Sequence, residues 1–305
     1  MKDAPARDGT TDPVAGAERL GVDGTWLHLR RWRPPAGSPP RAPVIVVHGF
    51  GEHAGRHEVV AAALAASGRE VWAIDQRGHG RSPGTRAYVG CLDRALADLD
   101  ALVDAALAHA ALADAGDGGS PGRRALPAGA GPVLFGHSMG GAFVAAYAVS
   151  RPGRAGALVL SAPALHLPGL PASRVVPARF LARFVPHVRV ARVAPAALSR
   201  DAAAVREFVA DPLVWHGRVP AATAWAMYEA GTRALAGAGA LEVPVLVVHG
   251  AADAVVPIAS SRRFLGALGS ADTELVEIAH GAHEPLHDLG SEDVTKRVVD
   301  WVAAH

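Results

Sequence analysis

The chain has 305 residues, half of them hydrophobic, and a formal net charge of +1. The length suits one large core carrying an insertion, and the near-neutral charge gives no global field for nucleic acid. A single cysteine, Cys91, excludes an internal disulfide framework and suits a reducing compartment; lysine stands only at Lys2 and Lys296, so the positive charge is nearly all arginine.

Residues 1–17 carry Lys2, Asp3, Arg7, Asp8 and Asp12 with no apolar stretch, which predicts a disordered tail and not a signal peptide. The apolar run 42–47 predicts a buried strand, and 71–74 predicts another that ends at Asp75. Leu96, Leu99, Val103 and Leu107 recur at helical spacing within 93–110, and the Gly-, Pro- and Ala-rich 113–131 predicts a long surface loop. A strand over 132–135 then leads into a helix over 141–148. Residues 163–240 lack strand alternation and hold Pro163, Pro168, Pro171, Pro177, Pro186 and Pro195 between short helical runs, as an inserted helical cap would. Strands return at 245–250 and 273–278. Short apolar runs alternating with helical patterns predict an α/β protein with a mostly parallel sheet, its core over 18–162 and 241–305 and its cap over 163–240. No run reaches the roughly 18 apolar residues of a membrane span, so the expected location is the cytoplasm, with peripheral membrane contact at most. Within the cap, 174–185 mixes apolar residues and arginines at helical spacing, which suits a gate over a lipid tunnel or transient contact with an anionic lipid surface.

Chemistry concentrates at strand ends. Residues 136–140 read G-H-S-M-G between a strand and a helix, the setting in which a sharp turn exposes a serine hydroxyl. Ser138 is therefore the candidate nucleophile, and the Met139 N–H at the helix start can serve a developing oxyanion. A second donor is expected where the 42–47 strand ends, at the Phe50 N–H after Gly49. Asp253 follows the 245–250 strand, and His280, His283 and His287 share the loop after 273–278. Serine, acid and histidine in that chain order match a nucleophile–base–acid triad on this type of sheet.

Longer blocks make the pattern more specific. Residues 48–56 (H-G-F-G-E-H-A-G-R), 75–82 (D-Q-R-G-H-G-R-S) and 136–141 (G-H-S-M-G-G) resemble the monoacylglycerol lipase / lysophospholipase branch of the α/β-hydrolases. So do 161–164 (S-A-P-A), 198–201 (L-S-R-D), 211–220 (D-P-L-V-W-H-G-R-V-P) and 283–288 (H-E-P-L-H-D), and the match runs from about residue 20 to the C-terminus. The resemblance implies an α/β-hydrolase fold, the triad Ser138, Asp253 and His283, and an oxyanion hole of the Phe50 and Met139 amides. It also implies that Glu52, Arg56 and His287 line the glycerol end of the pocket. The chain departs from the family before His283, with Ala282 where a bulky aromatic is usual and His280 in place of a glycine.

The expected activity is cofactor-free hydrolysis of a monoacylglycerol or similar lipid monoester through an acyl-enzyme. A lysophospholipase, a short-chain carboxylesterase and an acyltransferase are the alternatives, and a ligand-binding protein that kept the shell without activity is the alternative of another class. Residues 283–287 also read H-E-x-x-H, the spacing of zinc-protease helices. Pro285 between the histidines lacks the N–H that a helix interior requires, and no methionine follows Met227, so no metal is expected.

Overall fold

The computed structural model describes residues 18–115, 131–166 and 172–305. The expected tail over 1–17 and residues 116–130 of the expected loop lie outside the described residues; the start of that loop, 113–115, belongs to a helix that runs to Ala115.

The chain begins with a hairpin, β1 (Glu18–Val22) and β2 (Thr25–Trp32), closed by Asp23 and Gly24, both at positive φ. Such a two-residue turn matches the twist of the strands it joins. Then follow β3 (Val44–Val47), α1 (Glu58–Ala66), β4 (Val71–Ile74), α2 (Leu92–Ala115), β5 (Val133–His137), α3 (Met139–Ser150) and β6 (Ala157–Ser161). The segment expected as a cap holds α4 (Ala172–Phe184), β7 (Arg189–Ala191), α5 (Ala202–Ala210), β8 (Val219–Pro220) and α6 (Ala221–Gly237). The chain closes with β9 (Val245–Gly250), α7 (Ala259–Leu265), β10 (Thr273–Ile278) and α8 (Ser291–Ala304).

Among the described residues, eight strands form one sheet in the order β1-β2-β4-β3-β5-β6-β9-β10. The pairs β1–β2 and β2–β4 are antiparallel, and every pair from β4 to β10 is parallel. Every residue of β3, β4, β5, β6 and β9 is buried, as expected for strands covered on both faces. Their alternate residues feed two cores. Ile45 and Val47 join Leu96, Leu99 and Phe143 on one side, whereas Val44 and Val46 join Val60, Leu64 and Trp301 on the other. Helix α3 is buried from Met139 to Ala148, so it shows no polar face.

Two features of 163–240 depart from a purely helical insertion. β7 and β8 pair antiparallel, and strands of two or three residues are too short for alternation to reveal. Helix α6 turns Ala226, Ala230 and Ala234 into the same core as α3, and a Cβ on Gly231 would stand 2.4 Å from the Leu165 carbonyl oxygen. Close packing of small residues thus anchors the end of this segment to the sheet's own helix layer.

Candidate active site

Ser138 sits between β5 and α3 with φ 51° and ψ −114°, a conformation costly for a residue with a side chain. The turn leaves no room on either side. A Cβ on Gly136 would lie 2.5 Å from the Gly140 carbonyl oxygen, and one on Gly140 would lie 2.1 Å from that of Val47. Only glycines allow this approach, which also brings the start of α3 against the end of β3. The Ser138 N–H donates to the Ser161 carbonyl at 2.9 Å, fastening the turn to β6.

The Ser138 hydroxyl faces His283 Nε2 at 2.8 Å, and His283 Nδ1 faces Asp253 Oδ2 at 2.7 Å. An ionised carboxylate only accepts, so Nδ1 carries the imidazole proton and Nε2 is left to accept from the serine. The other oxygen of Asp253 accepts the Val255 and Val256 N–H groups at 2.8 and 2.9 Å. Burial alone would raise the Asp253 carboxyl; the bonds from His249 and His283 overcome it and hold the group below the usual carboxylate range. The loop's other histidines are elsewhere. His280 is exposed at positive φ, and His287 Nε2 donates to the Arg56 carbonyl at 2.7 Å. Residues 283–287 form a turn and not a helix, so the H-E-x-x-H letters do not place two imidazoles on one helical face.

Phe50 follows β3, and Met139 opens α3, where a backbone N–H has no partner inside its own helix. Glu52 shapes this loop from within. Its buried carboxylate accepts the Gly49 N–H at 2.5 Å and His57 Nε2 at 3.1 Å on one oxygen, and Arg56 Nε at 3.1 Å on the other. Arg56 reaches on to Glu284 at 2.6 Å and lies over the Phe208 ring. Burial opposes ionisation of both acids, with different results. His57 and its hydrogen bond, with Arg56, draw Glu52 well below its ordinary range, whereas burial and the nearby charge of Glu52 outweigh Arg56 and push Glu284 up. Burial and Arg56 push His287 down to about 4.

A cavity of about 960 Å³ opens over Ser138 and His283. Its walls are mostly apolar, with Leu181, Phe208, Trp225 and Met227 among them, while Glu52 and Glu284 supply carboxylates. Arg56 and His287 stand behind those acids and do not line the cavity. The sequence drew attention to Glu52, Arg56 and His287 but not to Glu284, whose adjacency to His283 was its only signal, nor to the contact of His249 with Asp253.

Residues 38–290 match the family model described as "Serine aminopeptidase, S33". The chain is 35% identical over 286 residues to a monoacylglycerol lipase from Mycolicibacterium smegmatis, covering 93% of this chain and 95% of that protein. The crystal structure of Paleococcus ferrophilus monoacylglycerol lipase is similar at a TM-score of 0.77 and 30% identity, covering 92% of this chain and 99% of the other. A soluble variant of Saccharomyces cerevisiae monoglyceride lipase, in complex with a substrate analog, shares the fold at a TM-score of 0.79 and 22% identity, with 98% of each chain covered. The parallel sheet, the strained serine turn and these likenesses agree: the chain belongs to the serine aminopeptidase, S33, family of α/β-hydrolases, on its monoacylglycerol lipase / lysophospholipase branch.

Proposed function

We propose that the protein is a cofactor-free serine hydrolase that cleaves monoacylglycerols to fatty acid and glycerol. One observation carries this reading: the Ser138–His283–Asp253 hydrogen-bonded chain opens directly into a large, mostly apolar cavity with buried carboxylates beside it. Ser138 Oγ attacks the ester carbonyl while His283 Nε2 takes its proton, and the oxyanion forms against the Phe50 and Met139 amides. His283 then protonates the departing alcohol, and a water attacks the acyl-enzyme under the same base. Asp253 holds the tautomer and stabilises the imidazolium. The apolar walls suit an acyl chain, and Glu284 offers an acceptor to an alcohol's hydroxyls, while Glu52, whose oxygens are taken up by Gly49, His57 and Arg56, holds the loop that carries the Phe50 amide. Arg56 and His287 act on that end through the two acids.

The insertion bears on substrate entry. Helix α4 turns Pro177, Ala178 and Leu181 to the cavity, and on another face exposes Val176 (75%), Phe180 (61%) and Phe184 (63%) four residues apart. Arg179 and Arg183 are exposed among them, while Arg174, also exposed, lines the cavity. This pattern supports a gate that touches an anionic lipid surface while substrate passes. None of the described helices is long and apolar enough to cross a membrane, and a cytoplasmic enzyme meeting membranes peripherally is the location proposed.

Purified enzyme should be compared on monoacylglycerols of varied chain length, lysophosphatidylcholine, di- and triacylglycerols, soluble esters and an aminoacyl nitroanilide. The highest kcat/KM is expected on a monoacylglycerol, with covalent labelling by a fluorophosphonate. A higher value on lysophosphatidylcholine or the nitroanilide would replace the substrate class, and failure to label would remove the serine mechanism.

A further inference from the structure

His249 lies in β9 four residues before Asp253 and is fully buried. Its ring is bonded at both nitrogens. Nδ1 meets Ser261 Oγ at 2.8 Å, while Nε2 meets the Val256 carbonyl oxygen at 2.9 Å and Asp253 Oδ2 at 3.1 Å. Both partners of Nε2 can only accept, so Nε2 carries the proton and the Ser261 hydroxyl donates to Nδ1. Asp253 therefore collects four N–H donors: two amides on Oδ1, and the imidazoles of His283 and His249 on Oδ2. A nucleophile–base–acid triad asks for only one imidazole on that carboxylate.

We infer that His249 is a positioning residue for the catalytic acid, aiming Asp253 Oδ2 at His283 and drawing off part of its negative charge. The inference rests on the reading of Ser138, His283 and Asp253 as the triad. Two consequences separate it from packing. Without the His249 N–H, Oδ2 loses one of its two restraints, so the geometry that orients His283 loosens and kcat falls. The carboxylate also becomes a stronger base and acts harder on its remaining imidazole. The acid limb of kcat/KM, which reports loss of the proton from the base, then moves to higher pH. Besides Asp253, the titratable groups found against His283 among the described residues are His137 of β5, at 5.3 Å between ring centroids, and Glu284 beside it in the chain. Neither contacts His249, so a substitution there leaves them in place.

The test compares His249→Asn with His249→Gln on a soluble nitrophenyl ester across pH, with Tm as the check of folding. An asparagine amide can reach Ser261 as Nδ1 does but falls short of Asp253, whereas a glutamine amide reaches the position of Nε2. His249→Asn should lower kcat about tenfold with little change in KM, and move the acid limb up by about one pH unit. His249→Gln should return the limb to its native position. Should the asparagine variant not fold, His249→Met, of similar size and without a donor, takes its place with the same expectation. A native acid limb in the donor-free variant overturns the inference, and so does a limb in His249→Gln displaced as far as in His249→Asn. Ser138→Ala measured alongside distinguishes the two levels. Activity in that variant removes the serine mechanism itself, while an inactive Ser138→Ala with a native profile in the donor-free variant removes only the role of His249.

Discussion

Ser138 holds a backbone conformation that few residues accept, and three contacts justify it: the bond to Ser161, the glycine-tight turn, and the imidazole 2.8 Å from its hydroxyl. Ser138→Ala should reduce ester turnover by several orders of magnitude while Tm changes little, because the covalent step is lost. His283→Ala should match it, and the double variant should be little worse than either, since one proton-transfer unit is broken only once. Additive losses would show that the two act separately. His280→Ala, at an exposed position, should stay close to the native rate. Glu52 has another kind of role. The loop that carries the Phe50 N–H hangs on its carboxylate through Gly49, so Glu52→Ala should impair a nitrophenyl ester and a monoacylglycerol alike. A hydrogen bond to a charged group contributes about 1.5–3 kcal/mol, which sets the loss at roughly ten- to a hundredfold in kcat/KM. Selectivity for the leaving group should reside instead in Glu284, which faces the cavity and touches Arg56. Glu284→Gln should lower kcat/KM for a monoacylglycerol about tenfold and spare the nitrophenyl ester, which brings no hydroxyls. Equal losses on both esters would assign Glu284 to holding Arg56 and the loop.

At the scale of elements, α4 has two faces: Pro177, Ala178 and Leu181 line the cavity, and Val176, Phe180 and Phe184 are exposed. If its exposed stripe meets lipid, replacing Phe180 and Phe184 together by glutamate should cut co-sedimentation with anionic vesicles by roughly tenfold or more, since each buried aromatic is worth a few kcal/mol. Hydrolysis of a soluble ester should hold, because neither ring lines the cavity. Unchanged vesicle binding would remove the membrane contact proposed for α4. The parallel strands were legible in the sequence because strands buried on both faces must be continuous apolar runs, and 42–47, 71–74, 132–135 and 245–250 are such runs. The hairpin β1–β2 has no such run: Thr25–Trp32 at the antiparallel side of the sheet interleaves His28, Arg30 and Arg31 with its apolar residues. β7 and β8 were too short to leave a period. The candidate site was legible where chemistry follows chain order, as with Ser138, Asp253 and a histidine of the 280–287 loop. Residues alone left three imidazoles open there, because the choice depends on how the loop turns at His280. The Arg56–Glu284 pair joins positions 228 residues apart, and no local pattern announces such a contact.

For the molecule as a whole, buried imidazoles make stability sensitive to mild acid. Burial is the main cause that pushes His48 and His287 down to about 4 and His79 to about 3, and it lowers His137 in the same direction. An unfolded chain returns each to the ordinary histidine value near 6.5. Between that value and the folded ones, the unfolded state binds more protons, so stability rises with pH; it is whole above about 6.5 and lost progressively towards 4. For a group such as His48 the loss is on the order of 3 kcal/mol, against a total stability of about 5–15 kcal/mol for a typical domain. Asp253, Glu52 and Asp288, all held below the ordinary carboxylate range, add their losses at lower pH by the same sign. Glu284 and Asp98 are pushed up, chiefly by burial, so they favour the folded state on acidification, but they are two groups against the four imidazoles. Tm should therefore decline steadily from pH 6.5 to 4, before most carboxylates take up protons. Added salt should not abolish the decline, because desolvation and not surface charge is its chief cause. A Tm flat from pH 7 to about 4.5 that collapses only below 4 would assign acid sensitivity to the carboxylates alone. Substituting His79 by an uncharged residue of similar size should flatten the slope in proportion to its share, and an unchanged slope would remove that imidazole from the account.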